Sequence, residues 1–216
     1  MEIRQLKGLG VCGTNCYIIV SDKGNAVLID APEGSKEILS SLGNASLKKI
    51  ILTHGHFDHI FSAGEIAEKT GAEVYIHKND ISKLNDGRLN LSLTFGVDNS
   101  FKKVENATSF SDGDTISLDE LDFKILHTPG HTSGSVCIFL CDNIFTGDTL
   151  FCKSRGRTDL VDANHSDMVQ SLKKLMDYEG EYDDYNIYAG HGFNTTLNSE
   201  RAENVYLRGF DYDDMF

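Results

Sequence analysis

Short apolar runs alternate with polar, glycine-bearing stretches along this chain, and their lengths predict an ordered series of strands and helices. The opening residues 1–6 read as a strand. Residues 15–20 and 25–30 are β-rich runs separated by Ser21-Asp22-Lys23-Gly24, a hairpin pattern. Residues 34–41 look helical, 49–53 extended, 58–69 helical and 73–77 extended, so two β-then-α units follow an antiparallel start. Residues 80–100 are polar, contain Gly and Asn, and show no clear period; they predict an insertion or lid over one face. Strands return at 115–118, 121–127, 135–141 and 143–146, with a tight turn at Cys141-Asp142-Asn143. A helix over 166–178, an extended piece over 185–189 and a last helix over 198–207 complete the series. With 2 prolines, no repeat and no low-complexity linker, residues 1–216 are expected to form one α/β (α+β) domain.

Composition narrows the class. At 40% hydrophobic and 25% charged residues, the chain can bury a large core. Its formal charge of −13 argues against a surface that follows a phosphate backbone, so no nucleic-acid partner is expected. The acidity is most simply a solvated surface. The start shows no charged-then-apolar leader, and no run approaches the roughly 18 apolar residues of a membrane helix. Five cysteines, Cys12, Cys16, Cys137, Cys141 and Cys152, are odd in number and lack CxxC spacing. Cys137 and Cys141 fall in or beside an apolar strand and read as small hydrophobes. A reducing, cytoplasmic setting is the expectation.

The chemistry is concentrated in Thr53-His54-Gly55-His56-Phe57-Asp58-His59, directly after Ile50-Ile51-Leu52. Imidazole nitrogen and carboxylate oxygen are the usual ligands of zinc and related ions. A strand ending at Thr53 spills these donors into a loop, where Gly55 lets the chain turn sharply. Three later segments each put a donor just beyond an extended run: His131 after Thr128-Pro129-Gly130, Asp148 after Gly147, and His191 between Gly190 and Gly192. Taken singly, a His or Asp after a strand is usually structural. Together, His54, His56, Asp58, His59, His131, Asp148 and His191 exceed one tetrahedral site and match two ions sharing a carboxylate. The natural division gives His54, His56 and His131 to one ion and Asp58, His59 and His191 to the other, with Asp148 as the bridge. His77 could cap a turn, His127 could support the His131 loop, and His165 precedes a helix.

These residues, in this order, resemble the metallo-β-lactamase superfamily over about residues 12–208. Residues 53–59 match its THxHxDH motif, 128–135 its TPGHTxGS segment, 147–149 its GDTLF loop and 190–196 its GHGxxTT segment. Within the superfamily the set looks like the glyoxalase II-like (hydroxyacylglutathione hydrolase-like) branch, in its short bacterial form. The resemblance implies a four-layer αββα sandwich with metal ions at one edge, between two sheets. It also implies a binuclear hydrolase that cleaves an acyl thioester such as S-lactoylglutathione with a metal-bridging hydroxide, which Asp58 would orient. The expected cofactors are two divalent ions, zinc first, with iron or manganese accepted by the same donors. A small (thio)ester is the expected partner. Residues 153–159 concentrate three positive charges; Arg157, with its planar fork, is the expected contact for an anionic substrate group. Gly156-Arg157-Thr158-Asp159 also resembles a loop of persulfide dioxygenases. That alternative, a mononuclear iron oxidoreductase, would need only His54, His131 and Asp148. Lactones or other esters are further substrates open to the same fold.

Overall fold

A computed structural model of the chain describes residues 1–97 and 102–208. Its strands form two six-stranded sheets. The first contains β1 (Glu2–Leu9), β2 (Thr14–Val20), β3 (Asn25–Ile29), β4 (Ser46–Ile51), β5 (Glu73–His77) and β6 (Ala107–Phe110), in that order across the sheet. β1, β2 and β3 are antiparallel; β3 to β6 run parallel. The second sheet comprises β7 (Thr115–Leu118), β8 (Leu121–His127), β9 (Val136–Leu140), β10 (Asn143–Gly147), β13 (Asn186–Ala189) and β14 (Thr195–Thr196). Its spatial order is β14-β13-β10-β9-β8-β7, with β10 and β13 parallel. A separate ribbon pairs β11 (Leu150–Phe151) with β12 (Ser154–Arg155).

Period-two alternation decides which way each strand faces. Tyr17, Ile19, Val27, Ile29 and Ile51 point to a core shared with Phe123, Ile125, Ile138 and Phe145 of the second sheet. The alternate positions Cys16, Ile18, Leu28 and Ile50 face outward onto α1 (Ser35–Ser41) and α3 (Ala63–Thr70) through Ile38 and Ile66. On the far side, Cys137, Phe139, Ile144 and Ile187 meet α4 (His165–Met176) and α5 (Leu197–Glu203) through Met168, Leu172 and Leu197. Three apolar interfaces thus hold four layers, helices outside and sheets inside: the expected αββα sandwich.

The sequence-based boundaries need several corrections. The helix expected over 58–69 is two helices, α2 (Phe57–Ile60) and α3. The break comes from Ala31: its N–H donates to His59 O and its carbonyl accepts from Ser62 N–H, both at 2.8 Å. The last helix stops at Glu203 because Asn204 turns extended and spends its side chain on the β11–β12 region. Cys141 is exposed in the β9–β10 turn with φ 52, so it is no core hydrophobe. Within 80–97 a single 3-10 turn, Ile81–Leu84, is followed by turns. This segment is packed down: Asn90, Leu91 and Ser92 are buried, and Asn90 O accepts from Phe57 N–H at 2.9 Å. Residues 98–100 of the expected lid lie outside the described residues. Among the described residues no helix is long and apolar enough to cross a membrane.

Candidate metal centre

Four strands deliver the donors, each at its C-terminal end and all at one edge of the sandwich. β4 leads into His54, His56, Asp58 and His59; β8 leads to His131, β10 to Asp148 and β13 to His191. Parallel β4 and the parallel β10–β13 pair aim these ends the same way, and rigid strands hold what the loops present.

The seven donors converge. Ligand atoms of His54, His56 and His131 lie within 4.8 Å of one another, and so do those of Asp58, His59 and His191. Asp148 lies between the groups: Oδ2 is 3.4 Å from both His131 Nε2 and His191 Nε2, and Oδ1 is 3.2 Å from His59 Nε2. Two of the rings are fixed through the nitrogen on the side away from the cluster. His59 Nδ1 donates to Asp30 Oδ2 at 2.8 Å, and His131 Nδ1 donates to the Arg157 carbonyl at 2.9 Å. Thr14 Oγ1 donates to Asp58 Oδ2 at 2.9 Å.

Burial and charge explain how these groups are tuned. Burial pushes His54 well below its ordinary range, with His59 adding to the effect, and pushes His56 down to about 3. Both rings are therefore neutral, the state in which imidazole binds metal. Burial also acts against charge on His59 and His191, but carboxylates outweigh it. Asp58 and Asp148 raise His59 well above its usual range, and Asp148 raises His191 to about 9. Conversely, burial would raise Asp58 and Asp148, yet His59 foremost pulls Asp58 down to about 2 and Asp148 well below the carboxylate range. The carboxylates thus gather positive charge onto imidazoles, a role a divalent cation fills while releasing those protons.

The orphaned atoms give the same test independently. His54 Nε2 and His56 Nε2 are buried with no hydrogen-bond partner, as is Asp148 Oδ1, which lies near His59 but outside hydrogen-bonding geometry. Buried polar atoms are rarely left unpaired. His56 meets the cluster through Nδ1, 2.9 Å from His131 Nε2, and these nitrogens with His54 Nε2 and the Asp148 oxygen are the donor chemistry of zinc, iron or manganese. The residues fit divalent metal.

Other expected positions fall differently. The Arg157 guanidinium does not join the donors; it is exposed and makes two bonds to Asp159, at 2.6 and 2.7 Å. His77 and His127 stack with ring centroids 4.1 Å apart, and His127 Nε2 meets Ser133 O at 2.9 Å. His165 is the first residue of α4. The sequence reading passed over Asp30, which accepts from Thr53 N–H and Thr53 Oγ1 as well as from His59. The sequence marks it only as a carboxylate ending the apolar run 26–29; in the fold it stands at φ 57, a conformation that needs support from its surroundings. Asn15 was also passed over, and nothing local in the sequence marks it. Its side-chain amide donates to Ala189 O and Gly192 O, both at 3.1 Å, on either side of His191.

Curated relatives cover nearly the whole chain. An uncharacterized protein of Mycobacterium tuberculosis is 34% identical over 93% of this chain and 95% of its own length. Hydroxyacylglutathione hydrolase GloC of Haemophilus influenzae is 31% identical, over 89% of this chain and 92% of its own. The probable metallo-hydrolase YqgX of Bacillus subtilis is also 31% identical, over 94% and 96%. Among solved structures, the BLEG-1 B3 metallo-beta-lactamase superposes with a TM-score of 0.87 at 28% identity, covering 95% of this chain and 99% of that one. TTHA1623, crystallised in a di-iron-bound form, gives 0.81 at 29%, covering 93% and 98%. ETHE1 from Myxococcus xanthus gives 0.76 at 28%, covering 99% and 88%. The family model of the metallo-beta-lactamase superfamily matches residues 9–191, a stretch holding all seven donors and the strands that aim them. By that match and that geometry, the chain belongs to the metallo-β-lactamase superfamily, whose members are in general metal-dependent hydrolases binding divalent ions.

Proposed function

We propose that this protein is a binuclear metallo-hydrolase of the glyoxalase II-like kind, cleaving an acyl thioester such as S-lactoylglutathione. The observation that carries the reading is the pair of donor triads joined by Asp148. A mononuclear enzyme with His54, His131 and Asp148 as its ligands leaves His56, Asp58, His59 and His191 without a task. The likeness to GloC, named for hydroxyacylglutathione hydrolysis, supports the substrate class. Two divalent ions bound here, zinc or else iron or manganese, would activate water near neutral pH and polarise the scissile carbonyl.

The chain's own groups do the rest. Asp58, with Oδ2 held by Thr14 at 2.9 Å and 3.4 Å from His191 Nε2, would orient the attacking water among the donors. Arg157 is the cation we assign to an anionic substrate group, which would take over the two bonds now made to Asp159. The partner is a small molecule: a formal charge of −13 does not suit nucleic acid.

The direct assay is thioester hydrolysis by metal-loaded protein with S-lactoylglutathione, followed by lactones and other esters. Turnover abolished by chelator and restored by metal is expected. Absence of turnover on every thioester would sink the reading. A second reading, a mononuclear iron persulfide dioxygenase, is favoured by the Gly156-Arg157-Thr158-Asp159 quartet. One iron per chain with oxygen uptake on glutathione persulfide would establish it instead.

A further inference from the structure

Outside the ring of donors, one buried carboxylate touches two of the loops that carry them. Asp80 follows β5 and is fully buried. Its Oδ2 accepts from the Gly55 N–H at 2.7 Å and from the Thr132 hydroxyl at 2.8 Å. Gly55 lies between His54 and His56, and Thr132 follows His131. One carboxylate oxygen therefore spans the two segments that supply all three imidazoles of one triad.

A buried lysine holds that carboxylate. Lys83 Nζ lies 2.7 Å from Asp80 Oδ1 and 2.6 Å from Asp162 Oδ2. Asp162 in turn accepts from Ser133 N–H at 3.1 Å and Ser133 Oγ at 2.7 Å, so the His131 loop is bound twice. The Lys83 stem also shapes the HxH turn: a Cβ on Gly55 would lie 2.6 Å from Lys83 Cβ. Burying an ammonium and a carboxylate is costly unless their hydrogen bonds are complete. Here Lys83 meets two carboxylates, both Asp80 oxygens accept, and the bonds run to the metal-binding loops.

We infer that Asp80, held by Lys83, is a positioning residue for the His54–His56–His131 triad, fixing the loop of His54 and His56 against the loop of His131. It thereby sets cation affinity at that position and leaves the Asp58–His59–His191 position alone. The second triad is fastened by other groups, Thr14 on Asp58 and Asn15 on the His191 loop. Asp30 serves beside both, through Thr53 and His59. The inference rests on reading the two triads as metal positions.

The test compares wild type, Asp80→Ala, Asp80→Asn and Thr132→Val, each stripped of metal and titrated with Co2+. Ligand-field absorption and chelator competition give the stepwise affinities, and elemental analysis gives ions per chain. The step lost in His56→Ala identifies the three-histidine position. Asp80→Ala is expected to weaken that step by about tenfold or more and spare the other. Asp80→Asn, which keeps a carbonyl oxygen for Gly55 and Thr132, should recover most of the loss. Thr132→Val should weaken the same step by less. Unchanged affinities in Asp80→Ala, equal weakening of both steps, or loss confined to the other triad would overturn the inference. Should Asp80→Ala not fold, Thr132→Val decides: selective weakening supports the role and an unchanged step overturns it. Wild type holding no cation would overturn the metal reading itself, and this inference with it.

Discussion

At the scale of the residue, the donor cluster leaves no spare room around its shared carboxylate. A Cβ on Gly190 would stand 2.4 Å from Asp148 Oδ1 and 2.7 Å from His59 Cε1. Gly190→Ala is therefore expected to displace Asp148 and lower metal affinity by about 10- to 100-fold, the usual range for disturbing a ligand's support. Equilibrium dialysis against the folded variant measures this; wild-type affinity would show that the loop gives way instead. Away from the donors, His77 is buried on β5 and stacked on His127. Burial and then the charge of His127 push it down to about 4 from 6.5; Lys78 adds to this, while Asp80 and Asp112 oppose it. The unfolded chain binds that proton first, so the contribution to stability is full above about pH 6.5 and is lost as pH falls towards about 4. At about 1.4 kcal/mol per pH unit between those values, the loss is at most about 3.5 kcal/mol. Urea unfolding of metal-free wild type and His77→Phe at pH 7 and pH 4 should show wild type losing about 2–3 kcal/mol more; parallel losses would clear His77 of the effect. The donors could be read from the chain because four of them fall within six residues and the others share one context, a strand end beside glycine. Their supports could not. Asp80 and Lys83 sit in a polar segment whose burial depends on loops distant in sequence.

At the scale of the element, β2 matters as much for its polar first residues as for its apolar body. Asn15 N–H donates to Gly190 O at 2.7 Å, its amide holds Ala189 O and Gly192 O, and Tyr17 OH donates to Ala189 O at 2.5 Å. These bonds dock the first sheet onto the end of β13 and set where His191 points. Asn15→Ala removes the amide from Gly192 O and leaves Ala189 O to Tyr17 alone, and should cost about 1–3 kcal/mol of stability. Metal loss should be confined to the Asp58–His59–His191 position, the mirror of the Asp80 variants. Chemical denaturation with Co2+ titration checks both parts, and loss at the three-histidine position instead would refute the division of labour. Strands with strong period-two or continuous apolar runs, such as β2, β3, β8 and β9, stand close to where the pattern puts them. Elements decided by tertiary contact do not. β6 is polar at two of its four positions and is a strand because it pairs with β5; β14 is two threonines added to β13. The α2–α3 break is invisible locally because Ala31, far back in the chain, imposes it.

At the scale of the whole molecule, the two sheets are laced at opposite edges by different means. At one edge the β2–β3 turn bonds the β7–β8 turn: Ser21 Oγ and Asn25 Nδ2 donate to Asp119 Oδ2 at 2.6 and 2.8 Å, and Asp22 N–H donates to Glu120 at 2.7 Å. At the other edge the first sheet contributes His54, His56, Asp58 and His59, while the second contributes His131, Asp148 and His191. A cation bound there joins both sheets and neutralises Asp58 and Asp148, which without it draw protons onto His59 and His191. Binding to the folded state alone must then stabilise the fold by mass action, about 2.7 kcal/mol for an ion held at a hundred times its dissociation constant. For a chain of 216 residues that corresponds to a rise in Tm of about 5–10 °C. Calorimetry across buffered free-metal concentrations should show Tm climbing with the logarithm of metal and collapsing on chelation. A Tm indifferent to metal would mean that the seven donors do not bind cations as a bridge between sheets, and the hydrolytic reading would lose its physical basis.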